Sequence, residues 1–245
     1  MNTKLATIIL AAGKGSRMQS STPKVLHLVG EKPMIQHVID ISKELKSEKI
    51  IVVLGYKADE IANQLSKETL QFVFQFDQLG TAHAVLQCKK SMNNYNGDVL
   101  ILSGDVPLIT ASTISQLIKV HKKNGAWCTL LSTDLPNPMG YGRIIRDNNN
   151  NLSKIIEDKD ASEDEKKIRE INSGIYVFKT EHLFRLLPHV KDNNKQKEYY
   201  LPDVLNLIIK EHGKIAIKKT ANSLEVQGIN NLEQLKSINL NYIEK

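Results

Sequence analysis

Leu10-Ala-Ala-Gly-Lys-Gly-Ser-Arg-Met18, followed by Pro23-Lys24-Val25-Leu26, is the stretch whose reading decides the fold. It comes straight after Leu5 to Ala12, an apolar run in which only Thr7 is polar. A continuous run of this kind reads as a strand buried on both faces, as in parallel sheets covered by helices. The chain then turns through Gly13 and Gly15, which permit positive φ and close approach of backbone to a ligand. Lys14, Arg17 and Lys24 follow at short intervals. A buried strand, a glycine turn and clustered cations suit a polyphosphate, whose oxygens backbone N–H groups can cradle while the cations neutralise them. The spacing fits neither of two familiar phosphate loops. A dinucleotide fingerprint needs glycine where this chain has Met18, and a P-loop needs Gly-Lys-Ser/Thr where Gly15 is followed by Ser16. The plain alternative is a surface turn carrying lysines; the position directly after the first buried strand favours phosphate.

Working outward, the first half alternates strands and helices. Pro33 opens a helix whose apolar positions are Met34, Ile35, Val38 and Ile39. Strands are expected at 49–56, 70–76, 98–103 and 126–131, with helices at 59–65, 80–92 and 110–121. Repeated βα units imply a mostly parallel sheet. The second half is less regular. Strands are expected at 141–146, 152–156, 175–178 and 214–218, an exposed loop or short helix at 157–170, helices near 181–187 and 200–210, and a terminal amphipathic helix from 231. This half is expected to extend the sheet and roof a pocket.

The 245 residues suffice for one large α/β domain, burying roughly 70–75% of the unfolded surface. No segment approaches the about eighteen apolar residues of a membrane span, and the N-terminus shows no signal-peptide cleavage pattern. Cys88 and Cys128 stand alone, which argues for buried thiols and a cytoplasmic setting rather than a disulfide framework. The net charge of +6 is spread along the chain without aromatic interleaving, so nucleic acid is not the expected partner. A small polyanion is compatible. The serines lack a nucleophile elbow and the histidines form no zinc pair. His27, His37 and His83 read as polar or capping groups. Asp105, in Gly104-Asp-Val-Pro107 at the end of a buried strand, is the sharpest acidic candidate. It would face the glycine turn and hold Mg²⁺ against phosphates, the alternative being an ordinary turn aspartate.

Read together, these residues resemble the N-acetylglucosamine-1-phosphate uridylyltransferases, the pyrophosphorylase half of a bifunctional bacterial enzyme family. The matching motifs are the opening stretch with His27 and Pro33-Met34, Gln75 with Gln78-Leu-Gly-Thr81, Gly104-Asp-Val-Pro107 and Gly140-Tyr-Gly-Arg143. They continue with Glu157 and Lys159-Asp160, Glu170-Ile-Asn-Ser-Gly174, Glu198-Tyr-Tyr200 with Asp203, and Gly228-Ile-Asn-Asn231. The resemblance covers about residues 5 to 240. It implies a Rossmann-like nucleotidyltransferase of class α/β, with a mixed, mostly parallel sheet flanked by helices. Residues 1–230 would be the nucleotidyltransferase domain and 231–245 a C-terminal helix.

The resemblance further implies nucleotide contacts from Leu10, Ala11, Ala12, Gly13, Ser103 and Gly104, and reading of uracil by Gln75, Gly80 and Thr81. Arg17 and Lys24 would act on the phosphates as catalytic cations. Asp105 and Asn230 would hold Mg²⁺, and Gly142, Glu157 and Asn172 would receive the amino-sugar. The implied reaction is uridylyl transfer from UTP to N-acetylglucosamine 1-phosphate. Another sugar 1-phosphate, or a nucleotide-sugar-binding module without catalysis, stays open as an alternative. Ser16 and Ser173 stand where threonine is common, Asp158 where histidine is frequent, and the asparagine turn is one residue longer. The hexapeptide repeats of the family's left-handed β-helix are absent from these residues, so acetyl transfer is not expected. A monomer or weak homo-oligomer is.

Overall fold

A computed structural model of the chain describes residues 4–243. In chain order the elements are β1 (Leu5–Ala11), β2 (Leu28–Val29), β3 (Lys32–Pro33), α1 (Met34–Glu44), β4 (Lys49–Leu54), α2 (Ala58–Gln64), β5 (Gln71–Phe74) and α3 (Thr81–Gln87). Then come β6 (Asp98–Ser103), α4 (Ala111–Asn124), β7 (Cys128–Asp134), β8 (Gly142–Arg146), β9 (Leu152–Ile156), α5 (Glu163–Lys166) and β10 (Glu170–Lys179). The last are α6 (Thr180–Leu186), α7 (Asp203–Lys210), β11 (Ile215–Lys219) and α8 (Leu232–Ile243).

Nine strands form one mixed sheet of order β11-β7-β10-β6-β1-β4-β5, with β8 and β9 joined beside β10. The β6-β1-β4-β5 half is wholly parallel. On the other side β10 runs antiparallel to β6, β7 and β8, so only β10 and β9 oppose the common direction. The second half of the chain therefore extends the sheet.

The sheet's two faces follow from strand alternation. Ile8, Ile51, Val53, Val99, Ile101, Tyr176 and Phe178 pack beneath α3, α6 and α7, through Val85, Leu183, Val204 and Ile208 among others. Their neighbours Ile9, Val52, Leu54, Leu100, Leu102 and Val177 pack on the opposite side against Ile35, Val38 and Ile39 of α1 and Ile114 and Leu117 of α4. Thr110 caps α4 by accepting from Thr113 N, and Lys122 and Lys123 lie in its last turn, where cations favour the helix dipole. The two cysteines are buried free thiols. Among the described residues no helix is long and apolar enough to cross a membrane.

Three expectations need correction. The helix expected to run from Gly80 to Met92 ends at Gln87, where Cys88 N and Lys89 N turn back onto carbonyls only three residues earlier. The strand expected at 175–178 is the last part of a ten-residue strand that begins at Glu170. The β2–β3 hairpin was not expected at all. It packs Val29 and Met34 against Ile238 of α8, and Asn239 Nδ2 donates to Leu28 O while its Oδ1 accepts from Gly30 N.

Candidate active site

The carboxyl ends of β1 and β6 open onto a cavity of about 350 Å³, where open α/β sheets place their ligands. Leu10, Ala11, Ala12, Gly13, Gln75, Gly80, Thr81, Ser103, Lys24 and Asp105 all line it. So do Lys14, read above as one of the phosphate-neutralising cations, and Gln78 and Glu198, two polar residues given no role above although each lies within a quoted motif. Gly104 supports the wall instead. Its N–H donates to Leu10 O at 2.9 Å, and a Cβ there would stand 3.3 Å from Val25 Cγ1.

The glycine turn divides its labour differently from the expectation. Gly15 has φ 58°, and a Cβ added there would lie 2.6 Å from Lys24 Cβ, so this position needs glycine. Gly13 has no positive φ, and a Cβ there would meet nothing within 4 Å. Its missing side chain clears space beside the cavity and does not relieve strain.

Beyond the turn, four predicted residues meet. Lys24 Nζ donates to Asp105 Oδ2 in an ion pair, and lies 3.3 Å from Asn230 Oδ1. Arg17 donates to the same Asn230 oxygen at 3.0 Å. Asn230 is held there by its neighbours: Ile229 N donates to Asp105 O at 3.0 Å, and Asn230 N donates to the side chain of Gln234, at Oε1, at 2.7 Å. Arg17 and Asn230 flank the cavity without lining it.

At the other end, Gln75 is 3% exposed. Its Nε2 donates to Gly80 O and lies 3.0 Å from both that oxygen and His83 Nδ1. Gly80 has φ 110°, and a Cβ there would lie 2.6 Å from Tyr199 O. The Gln-Leu-Gly-Thr and Glu-Tyr-Tyr motifs are in fact stitched together: Tyr199 N donates to Leu79 O, Ala82 N to Tyr199 O, and Leu201 N to Thr81 Oγ1.

A second cavity of about 190 Å³ adjoins the first through Leu10, Thr81 and Ser103, which line both. Gly142, Glu157 and Asn172 line it. Strand register brings them together: Asn172 pairs with Gly142, while Arg143 pairs with Ile156, which sets Glu157 beside Gly142 one step on. A bulge in β10 between Asn172 and Tyr176, with Gly174 at φ 77°, breaks the ladder to β7 at this point. Asn172 Nδ2 donates to Tyr176 Oη at 2.6 Å, which fixes its orientation. Burial, with Asp203, Asp160 and Asp158 adding like charge, pushes the Glu157 carboxyl up to about 7 against the opposing pull of Arg143. Asp203, at the start of α7, is raised for the same first reason.

Comparison with known proteins gives this arrangement a lineage. The chain is 47% identical over 223 residues to the bifunctional protein GlmU of Staphylococcus carnosus, covering 91% of this chain and 49% of that one. It is 48% identical over 231 residues to the protein of the same name from Thermoanaerobacter pseudethanolicus, covering 94% and 50%. The chain thus spans about half the length of these relatives. In structure it is similar to a UDP-glucose pyrophosphorylase complexed with UDP-glucose, with TM-score 0.76 and 18% identity over 99% of both chains, a likeness of fold. The profile of the family described as nucleotidyl transferase matches residues 6–222, and the chain belongs to that family.

Proposed function

We propose that the chain transfers a uridylyl group from UTP to N-acetylglucosamine 1-phosphate, giving UDP-N-acetylglucosamine and pyrophosphate. The observation that carries this reading is the junction of the two cavities at Leu10, Thr81 and Ser103. It puts a nucleotide-sized compartment edged by cations beside a smaller one lined by Gly142, Glu157 and Asn172. The similarity to the bifunctional GlmU proteins supports the choice of substrates. Residues 1–230 are taken as the nucleotidyltransferase unit, with α8 folded back onto its hairpin.

The base is selected at Gln75. With Nε2 directed at Gly80 O and His83 Nδ1, the amide oxygen is left to accept from a base. Uracil offers an N3–H there, whereas cytosine presents the bare N3 lone pair, which would leave two acceptors facing each other unpaired. Backbone N–H groups of the glycine turn, with Lys14, Lys24 and Arg17, neutralise the triphosphate. Glu157 and Asn172 offer acceptors and a donor to sugar hydroxyl and amide groups.

Asp105 Oδ2 and Asn230 Oδ1 converge on one cation, the Lys24 ammonium. A carboxylate and an amide oxygen so focused fit the hard-oxygen preference of Mg²⁺, which takes one or two protein carboxylates and completes its shell with phosphate and water. When bound there, the ion would supply charge neutralisation of the phosphates. The rest falls to the chain's own residues. A phosphate oxygen of the sugar phosphate attacks the α-phosphorus opposite the α,β-bridging oxygen; as the new O–P bond forms, the bond from the α-phosphorus to that bridging oxygen breaks and the oxygen leaves with pyrophosphate. The nucleophile is already an anion, so alignment and charge stabilisation carry the rate and no general base is needed.

Pyrophosphate release measured with UTP, Mg²⁺ and a panel of sugar 1-phosphates tests the assignment. N-acetylglucosamine 1-phosphate is expected to be the best acceptor. Activity with another sugar and none with this one would overturn the substrate. UDP-sugar binding without any turnover would leave a binding module.

A further inference from the structure

The second cavity depends on residues that do not line it. Arg143 is 2% exposed, with its guanidinium behind the row formed by Gly142, Glu157 and Asn172. It donates from NH1 to Tyr141 O and from NH2 to Asp158 Oδ1 at 2.8 Å, with Lys166 O at 3.5 Å from the same nitrogen. Its Nε is buried without a partner, and Asp158 is its anionic partner. One guanidinium therefore fastens the start of β8 to the segment that leaves β9. Glu157 is the first residue of that segment.

Glu157 needs such a fastening. It lies past the last ladder residue of β9. Among the described residues its carboxylate makes no side-chain hydrogen bond of its own, and Asp203, Asp160 and Asp158 all bring like charge toward it. Yet its Oε1 sits 3.0 Å from where a Cβ on Gly142 would be. Left to repulsion, the carboxylate would swing outward. A buried, paired Arg next door resists this by holding the backbone at residue 158, and a fork-shaped guanidinium does so directionally.

We propose that Asp158 is a positioning residue: through Arg143 it holds Glu157 opposite Gly142 and Asn172, and so sets affinity for the sugar phosphate without touching it. This rests on the assignment of the second cavity to the sugar.

The test is Asp158→Asn, which keeps an acceptor for Arg143 and removes the charge. KM for N-acetylglucosamine 1-phosphate should rise about tenfold, as expected for loss of a buried charge-assisted bond, with kcat and the UTP KM within twofold. The midpoint of the pH dependence of that sugar KM should move to lower pH, because one negative charge beside Glu157 is gone. Asp158→Glu, which restores a carboxylate, should recover most of the affinity. A sugar KM like that of the parent protein, or equal rises in the sugar and UTP constants, would overturn the proposal. Should Asp158→Asn not fold, Arg143→Lys carries the same test, because an ammonium cannot hold Tyr141 O and Asp158 together as a fork does. Glu157→Gln separates the two levels. If it leaves the sugar KM unchanged, the sugar assignment fails. If it raises the sugar KM while Asp158→Asn does not, only the clamp fails.

Discussion

At Asn230 Oδ1 two cations meet, the guanidinium of Arg17 and the ammonium of Lys24. Only Lys24 also reaches the carboxylate of Asp105 and lines the nucleotide cavity. Arg17 is exposed and stands outside the cavity lining, joined to it through Asn230. On the proposed reaction this separation divides their work: Lys24 would neutralise ground-state phosphate charge, and Arg17 the charge that grows on departing pyrophosphate, an interaction made mainly in the transition state. Arg17→Ala should therefore cut kcat on the order of 10²–10³-fold, the range for loss of one preorganised donor, while the UTP KM changes by less than about tenfold. Steady-state kinetics with varied UTP decides it, since equal losses in both constants would make Arg17 a simple binding residue.

At the scale of elements, the joint between the residue 79–82 turn and the residue 198–201 segment holds the base end of the cavity. Gly80 makes the joint. Its φ of 110° with ψ of 176° belongs to backbone space open almost only to glycine, and a Cβ would strike Tyr199 backbone at 2.6 Å. Gly80→Ala should cost about 1–3 kcal/mol, several degrees of Tm for a chain of this size. It should also weaken UTP more than the sugar phosphate, because Gln75 Nε2 bonds Gly80 O. A thermal melt together with both KM values checks this; equal weakening of both substrates would mean general loosening. The same elements show what the sequence could and could not reveal. Leu5–Ala11, Lys49–Leu54 and Asp98–Ser103 are nearly pure apolar runs and were legible almost to the residue, as was the Thr110 cap. The glycine turn and Asp105 were legible because they follow such strands, whereas Gln75 entered only through the family resemblance. The front of β10 was not. Glu170, Asn172 and Ser173 are polar inside a strand, and Gly174 bulges it, so the pattern reads as a loop where the sheet gives up regularity to aim Asn172. The Arg143–Asp158 pair was invisible for another reason. Its partners lie fifteen residues apart, and only the pairing of β8 with β9 brings them together.

Across the whole molecule, one sheet places the first cavity on its parallel half and the second where β8 meets β9 and β10, the two strands that oppose the common direction. The buried carboxylate of the parallel half, Asp98 at the start of β6, is paired with Lys179 at 2.7 Å. The antiparallel half keeps Glu157 beside Asp160 and Asp203, and this burden falls on the stability of the entire fold. Glu157 titrates at about 7 in the folded protein against 4.5 for a free side chain. The folded state thus holds a proton that the unfolded chain releases between those values. Its contribution to stability is complete below about pH 4.5, falls as pH rises, and is gone above about pH 7. At 1.36 kcal/mol per unit of pKa, the ionised group costs the native state on the order of 3 kcal/mol. Glu157→Gln removes the titration and keeps the shape. Its excess stability over the parent protein should be on the order of 3 kcal/mol at pH 8 and should nearly vanish at pH 4, as read from urea unfolding at both values. Asp203 is raised in the same sense, and Asp98, Glu170 and Asp40 are lowered by their partners in the opposite one. These remain in both proteins, so the difference between the two curves isolates Glu157. A difference independent of pH would mean that Glu157 is ionised throughout and that its acidic neighbours do not repel it.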